Sequence, residues 1–246
     1  EMEEIYPENC LDRLLPHYKF YNDRGISEKT LKSLKGGYAT TGKLYGRFVF
    51  PIYNEHKQIH GFSGRDMSSS GDRPKWKHVG RKTGWIYPLY ANPEAAEAIN
   101  ETQSVILVES IGDLLNLNEH GYKNVLVTFG LDVSTKLICA TLSLNINKII
   151  LSLNNDKTSS ENRGLNASIK NYLKLLNYYN PEKVLICLPT EKDFGDMSDD
   201  QFKEWSNKLQ SLTHEKQKPF ILDKINSIQK TLPKTLLKNK KILINE

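Results

Sequence analysis

From residue 103 onward, short apolar runs alternate with longer stretches in which apolar residues recur at helical spacing. The apolar runs predict strands near residues 104–109, 124–128, 147–153 and 183–188. The amphipathic stretches predict helices near residues 112–121, 133–144, 163–178 and 198–212. This alternation favours βαβ units with right-handed crossovers, and therefore an open parallel sheet.

The residues before position 101 carry a different pattern. Residues 1–42 predict short helices, one of which begins after Ser27 as its N-cap. Two apolar runs, residues 47–53 and 58–66, flank a short polar segment and predict a β-hairpin. Residues 68–84 are rich in Gly, Ser, Lys and Arg, which is typical of a loop.

These patterns predict an α/β protein with a Rossmann-like parallel sheet. Residues 1–100 are expected to form a small α+β subdomain with a basic hairpin, and residues 101–213 the α/β subdomain. Residues 214–246 are expected to be a lysine-rich tail or helices, because Pro219 and Pro233 interrupt a weak helical periodicity.

The net charge of +5 is modest, but it is unevenly distributed. Residues 43–82 carry nine Lys or Arg against three acids, and residues 216–241 carry eight Lys against Asp223 alone. A polyanion is the natural partner of such segments. For the C-terminal segment, the alternative that its lysines only face solvent is equally well supported by the sequence.

The composition also excludes several classes of protein. No apolar run approaches the roughly 20 residues that span a bilayer, so no membrane association is expected. The acidic start does not resemble a signal peptide, which favours a cytoplasmic location. The three cysteines lie far apart and show no metal-ligand spacing with histidine, so no structural zinc is expected in this chain.

Acidic and amide side chains follow three of the predicted strands. They are Glu109 and Asp113, Asn154 and Asp156, and Asp193 and Asp196. The carboxyl ends of parallel strands form one crevice, where clustered carboxylates repel one another unless a cation joins them. Hard oxygen ligands suit Mg²⁺, so the sequence predicts a Mg²⁺-dependent site for phosphate chemistry. Helix capping is the alternative role for Asp113, Asp193 and Asp196.

Several short motifs, taken in order, resemble the catalytic core of DnaG-type DNA primases, including its TOPRIM domain. In the N-terminal part they are Arg24-Gly-Ile-Ser27, Gly46-Arg-Phe-Val-Phe-Pro-Ile52, Gly61-Phe-Ser-Gly-Arg65 and Pro74-Lys75-Trp76. In the C-terminal part they are Val108-Glu109-Ser-Ile-Gly-Asp113, Thr128-Phe-Gly130 and Lys192-Asp193-Phe-Gly-Asp196. Each motif is short, and the specificity lies in their order and spacing.

The resemblance implies an enzyme that copies single-stranded DNA into short RNA primers from nucleoside triphosphates, with Mg²⁺ or Mn²⁺. It implies catalytic roles for Glu109 and Asp156 near a metal held by the six residues that follow the strands. It also implies that Arg47, Arg65 and Lys75 line the groove for template and nucleotide, while Lys77 and Lys82 strengthen its positive field. Arg163 is at the start of a predicted helix, whose first N–H groups could bind phosphate. The alternative is an ordinary helix N-terminus with no ligand.

The sequence departs from the family at one position, because Asn154 stands where the family carries the first Asp of Asp-x-Asp. The family's zinc-binding domain is also absent from this chain. The Asn154 substitution and a reduced number of basic residues favour a phage or mobile-element protein, located in the host cytoplasm. The lysine-rich segment is expected to dock a replicative helicase or to contact DNA, and the sequence does not choose between them. Two alternatives remain: another TOPRIM nuclease or strand cleaver, and a degenerate TOPRIM module that binds nucleic acid without turnover.

Overall fold

The structure is a computed structural model that describes residues 4–68, 70–157 and 161–245, and within them the strands form two sheets. The antiparallel sheet consists of β1 (Leu14–Leu15), β2 (Gly37–Ala39), β3 (Arg47–Tyr53), β4 (Ile59–Asp66) and β5 (Trp76–Val79), adjacent in that order. The parallel sheet consists of β6 (Ser104–Val108), β7 (Val125–Val127), β8 (Lys148–Leu151) and β9 (Val184–Ile186), in the order β7-β6-β8-β9.

The helices flank and cap these sheets. Before the parallel sheet lie α1 (Lys19–Asn22), α2 (Glu28–Ser33) and α3 (Glu94–Thr102). Within it and after it lie α4 (Ile111–Glu119), α5 (Thr135–Ser143), α6 (Arg163–Leu175), α7 (Asp199–Ser211), α8 (His214–Ile228), α9 (Lys234–Leu237) and α10 (Lys240–Asn245). Shorter 3₁₀ turns cover Glu8–Arg13, Gly42–Leu44, Lys82–Gly84, Pro181–Lys183 and Phe194–Asp196. In the described part of the chain, none of the helices combines the length and apolarity that a bilayer crossing requires.

The structure confirms the predicted alternation of strands and helices from residue 103 to residue 212. It also confirms the hairpin of β3 and β4 and the Ser27 cap, whose hydroxyl accepts a hydrogen bond from the Thr30 N–H at 3.3 Å. Three expectations are wrong. The predicted loop at residues 68–84 contains β5, and the predicted helical region before residue 42 contains β1 and β2 as well.

The third correction concerns Pro219, which lies inside α8 and does not interrupt it. A proline in a helix removes one backbone hydrogen bond and crowds the carbonyl four residues before it. Packing of Ile221 and Ile225 in the core offsets this cost, because both side chains are fully buried. Pro233 does separate helices, since it precedes α9 directly.

The hydrophobic cores do not coincide with the two sheets. One core joins the inner face of the antiparallel sheet, including Phe48 and Phe50, to Leu114 of α4 and Trp205 of α7. Another core lies on the opposite face of the parallel sheet and includes Ile221 of α8. Tyr87 forms a β-bridge with Val127 at the edge of β7, which ties the two halves together. The antiparallel sheet is therefore held firmly beside the carboxyl ends of the parallel strands.

Candidate active site

The side chains that follow the parallel strands meet at one edge of the sheet. Glu109 comes directly after β6, and the backbone N–H of Asn154, after β8, acts to lower the pKa of its carboxyl. The Asn155 N–H donates to the carbonyl of Lys192, after β9, at 2.7 Å. The three segments that the sequence placed at the strand ends are therefore brought together.

Glu109 is half-buried at the centre of this edge. Burial raises the pKa of its carboxyl, and the neighbouring carboxylates of Asp156 and Asp193 raise it further. The Asn154 N–H and the Arg163 guanidinium oppose this rise. Carboxylates from three strand ends thus share one electrostatic environment, which is the arrangement that a cation would stabilise.

Asp113 has its carboxylate oxygens engaged in local structure. It is 2% exposed, and it forms a capping box with Ser110 at the start of α4. Its other oxygen accepts a hydrogen bond from the Phe194 N–H at 3.2 Å. Burial and the Asp193 carboxylate raise the pKa of Asp113 to about 7. Capping, which the sequence left open, is the role that these contacts show, and metal ligation by Asp113 stays a prediction.

Asp193 connects the two sheets. It accepts a hydrogen bond from the Asp196 N–H at 3.2 Å, which closes the 3₁₀ turn Phe194–Asp196. Its other oxygen lies 3.2 Å from the ammonium of Lys75, which precedes β5. Asp196 itself is exposed, and its pKa is raised by partial burial and by Asp193.

The loop that carries Asp156 is held by two asparagines. The Asn162 side chain accepts hydrogen bonds from the N–H groups of Asp156 and Leu165, both at 3.1 Å, so it caps α6 and fixes the loop at once. It also donates to Asn155 at 2.8 Å, and Asn155 in turn donates to the Pro189 carbonyl at 2.8 Å. Sequence reasoning missed both residues, although a polar residue before Arg163 was a visible N-cap signal.

Strand register divides the predicted basic residues between two faces of the antiparallel sheet. Arg65 pairs with Trp76, so both point toward the parallel sheet. Lys77 pairs with Gly64, the neighbour of Arg65, and therefore lies on the opposite face. The sequence predicted one basic groove, whereas alternation along β4 and β5 sends these side chains to different sides.

Arg47 also differs from the expectation. It lies on the same face as Lys77, is 1% exposed, and donates to the carbonyls of Gly64 and Pro74 at 3.2 and 2.9 Å. It therefore fixes the segment before β5 and does not line an open groove. Lys82 donates to the Phe129 carbonyl at 3.0 Å. Arg163 is exposed at the first turn of α6.

A cleft of about 270 Å³ separates the two sheets at this point. Arg65 and Lys75 lie on one wall, and Asp113, Asp193 and Asp196 lie on the other. Arg24 lines it too, with its guanidinium 3.6 Å from the ring centre of Phe20. The sequence did not single out Arg24, although it belongs to the Arg-Gly-Ile-Ser motif. We refer below to this space as the acid–base cleft.

The acidic edge of the parallel sheet suits a hard cation, because Glu109, Asp156 and Asp193 offer oxygen atoms only. They do not form a ready-made cage. Among the residues that the structure describes, no three Asp, Glu, His or Cys side chains lie close enough to hold one metal ion.

Comparisons with known proteins agree with the fold. A DNA primase of Borreliella burgdorferi is 30% identical over 164 residues, which are 63% of this chain and 29% of that protein. A DNA primase of Buchnera aphidicola is 28% identical over 191 residues, or 71% of this chain and 31% of that protein. A DnaG primase catalytic domain solved with single-stranded DNA superposes with a TM-score of 0.67 at 15% identity, covering 92% of this chain and 82% of that one. No protein-family model matches the chain.

An antiparallel sheet followed by a parallel sheet, with a cleft between them, defines a mixed α/β protein with the fold of a primase catalytic core. The sequence relatives point the same way, and the chain is a distant homologue of the DnaG-type DNA primases. It spans about a third of the length of these curated relatives.

Proposed function

We propose that this chain is the catalytic part of a DNA primase, in which residues 101–213 are the TOPRIM unit. It would synthesise short RNA primers on single-stranded DNA from nucleoside triphosphates. The acid–base cleft carries the proposal, because carboxylates on one wall face Arg65 and Lys75 on the other. Homologues named DNA primase support the same reaction.

The basic wall would bind phosphate. Arg65 offers a planar guanidinium that contacts two oxygens at once, and Lys75 acts as a point charge. Arg24 adds a third cation, held in place by its own hydrogen bond to the Phe20 carbonyl at 2.8 Å. Arg47 would act indirectly, by fixing the backbone of Pro74 beside Lys75.

The acidic edge would hold a divalent cation, Mg²⁺ or Mn²⁺, through Glu109, Asp156 and Asp193. When bound, such a cation neutralises triphosphate oxygens and lowers the pKa of an attacking 3′-hydroxyl. The charge of Glu109 interacts with those of Asp156, after β8, and Asp193, after β9, so we assign it the central position. Asp113 would orient Asp193 through its hydrogen bond to the Phe194 N–H.

Primer synthesis on single-stranded DNA with labelled ribonucleotides tests the proposal. The Glu109→Gln variant should reduce short RNA products by about 100-fold or more, since it removes a charged group at the reaction centre. Glu182→Gln is the matched control, because Glu182 is exposed in the 3₁₀ turn at the opposite end of β9. Equal activity of wild type and Glu109→Gln would contradict the assignment.

A second candidate function is nucleic-acid binding without turnover. Two observations favour it: Asn154 replaces a carboxylate, and the described acids form no three-residue metal cage. Wild type that binds single-stranded DNA but makes no primer under Mg²⁺ or Mn²⁺, even with a zinc-binding domain added, would establish this function instead.

A further inference from the structure

The excess positive charge of the chain lies entirely near its C-terminus. Residues 214–246 contain eight lysines and three acids, Glu215, Asp223 and Glu246. The net charge of the whole chain is +5, so the remaining residues hold equal numbers of basic and acidic side chains. This concentration of charge is separate from the acid–base cleft.

These lysines are distributed along the helices α8, α9 and α10 and the short segments between them. We call them the lysine surface: Lys216, Lys218, Lys224, Lys230, Lys234, Lys238, Lys240 and Lys241. Each is exposed or half-exposed. The inner side of the same helices is apolar, with Ile221, Ile225, Leu232 and Leu243 buried in the core of the parallel sheet.

The charges of the lysine surface are not neutralised locally. No lysine in it pairs with an acidic residue among those that the structure describes. The ammonium groups of Lys216 and Lys240 donate instead to the Ser211 carbonyl and the Asn226 side chain, at 2.7 and 2.5 Å. Like charges held together on a folded surface repel one another, and a bound polyanion relieves that repulsion.

We propose that the lysine surface binds the phosphate backbone of a nucleic-acid duplex. Residues 214–246 contain no arginine. The surface therefore offers the point charges of lysine for phosphate, but no planar guanidinium group that could form paired hydrogen bonds with base edges. Phe220 is the only aromatic residue in this range, so the surface lacks the stacking platforms typical of single-strand binding. A duplex, whose bases are already stacked, is the partner that these features fit.

Two other polyanionic partners fit less well. A helix that binds a membrane surface needs its apolar face free, whereas that face of α8 is buried against the parallel sheet. An acidic protein would be recognised by geometric pairing, for which arginine is better suited than lysine. The inference does not depend on catalysis, because none of these lysines lines the acid–base cleft.

The test measures affinity for a labelled DNA duplex over a range of salt concentrations. The test variant replaces four exposed members of the lysine surface: Lys230→Gln, Lys234→Gln, Lys238→Gln and Lys241→Gln. The control removes the same charge from exposed lysines elsewhere: Lys19→Gln, Lys29→Gln, Lys148→Gln and Lys208→Gln. Thermal unfolding verifies that both variants fold.

The test variant should bind the duplex about tenfold more weakly or worse. Its affinity should also depend less on salt: the negative slope of log affinity against log salt concentration should become shallower by about 3 to 4. The affinity of the control variant should change far less.

Two outcomes would overturn the proposal. Equal losses of affinity in both variants would show that only total charge matters, and no loss in the test variant would show that the lysine surface does not bind the duplex. Tighter binding to single strands or to phosphatidylserine vesicles through the same lysines would also overturn the proposal. A wild type that binds the duplex in this way but makes no primer would refute the proposed function alone.

Discussion

Gly164 leaves no room for a side chain against the loop that carries Asn154. A Cβ atom at this position would lie 1.6 Å from the Asn154 carbonyl oxygen and 2.6 Å from its carbonyl carbon, both in the backbone. The first turn of α6 is thereby pressed directly onto the acidic edge of the parallel sheet. The exact path of the loop, and with it the position of Asp156, depends on this absent side chain.

We therefore expect Gly164→Ala to lower the free energy of unfolding by about 3 kcal/mol or more, because the loop backbone must move. Gly112→Ala is a closely matched control, since Gly112 occupies the same second position in α4. There a Cβ would lie 3.4 Å from the Ser110 hydroxyl, and alanine should stabilise the helix by up to about 1 kcal/mol. Chemical denaturation of both variants gives the comparison, and equal stability of the two would contradict it.

His78 makes stability depend on pH. Its ring packs edge-on against Trp85 and Phe129, and burial, followed by the charges of Lys82 and Arg47, lowers its pKa to about 4. Between this value and the unfolded value near 6.5, the unfolded chain binds a proton that the folded chain does not. The free energy of unfolding should therefore fall as pH falls through this window.

The loss attributable to His78 should grow as the pH falls from about 6.5 toward 4, and solvent screening of this partly exposed ring should keep it to about 1–2 kcal/mol. His78→Gln keeps a polar side chain but does not titrate. Its stability at neutral pH will differ from wild type, so the informative quantity is the slope of stability with pH between pH 7 and pH 4. An identical slope in both proteins would show that His78 titrates normally.

At the scale of elements, Asn162 joins the start of α6 to the loop after β8. Asn162→Ala should cost about 1–2 kcal/mol of stability through loss of the cap. Ser134→Ala removes the equivalent cap of α5, where the hydroxyl accepts from the Leu137 N–H at 3.1 Å, and should cost a similar amount. Only Asn162→Ala also frees the Asp156 N–H.

The distinguishing measurement is the rise of the melting temperature with added Mg²⁺. Asn162→Ala should need more Mg²⁺ than Ser134→Ala to reach half of its maximal rise, since Asp156 is no longer held beside Glu109. If the two variants respond identically to Mg²⁺, Asn162 is a helix cap and nothing more.

The elements also show what the sequence could and could not predict. The strands and helices after residue 103 were predictable, because buried parallel strands are continuous apolar runs and their crossover helices are amphipathic. The short strands β1, β2 and β5 were not, since their two to four residues lie outside any extended apolar run and owe their form to the neighbouring strand.

The site divides in the same way. The acidic positions followed from the strand ends, because every parallel strand delivers its next residues to one edge. The face occupied by Arg47 and Lys77 did not follow, because a one-residue change in register moves a side chain to the other side of the sheet. The hydrogen bond between the side chains of Asn155 and Asn162 joins the two ends of a loop, and no local sequence pattern predicts it.

At the scale of the whole molecule, the boundaries expected at residues 100 and 213 stay predictions. Each core contains residues from both sides of an expected boundary. Phe48 of β3 and Trp205 of α7 lie in one core, and Ile221 of α8 lies in the other core together with the parallel sheet. A fragment limited to residues 101–213 would expose apolar surface on both faces of the parallel sheet. Cooperative unfolding of the whole chain is therefore expected.

Gln217 of α8 can be used to test whether the C-terminal helices unfold together with the parallel sheet. Its side chain forms hydrogen bonds with the backbone of β9, the edge strand of that sheet. Its amide donates to the Val184 carbonyl at 2.7 Å and accepts from the Ile186 N–H at 3.0 Å, and the residue is buried. Gln217→Leu leaves both backbone groups unpaired and should lower the free energy of unfolding by about 2–5 kcal/mol. Gln229→Leu, exposed at the end of the same helix, should change it by less than about 0.5 kcal/mol.

Because α8 shares its core with the sheet, Gln217→Leu should lower the midpoint of a single thermal transition and leave it single. Far-ultraviolet circular dichroism reports all helices, and tryptophan fluorescence reports Trp205 and Trp85 in the other core. Coincident transitions by both probes would establish that the C-terminal helices unfold with the rest of the chain. Separate transitions, or a Gln217→Leu variant as stable as Gln229→Leu, would show instead that residues 214–246 form an independent unit docked loosely on β9.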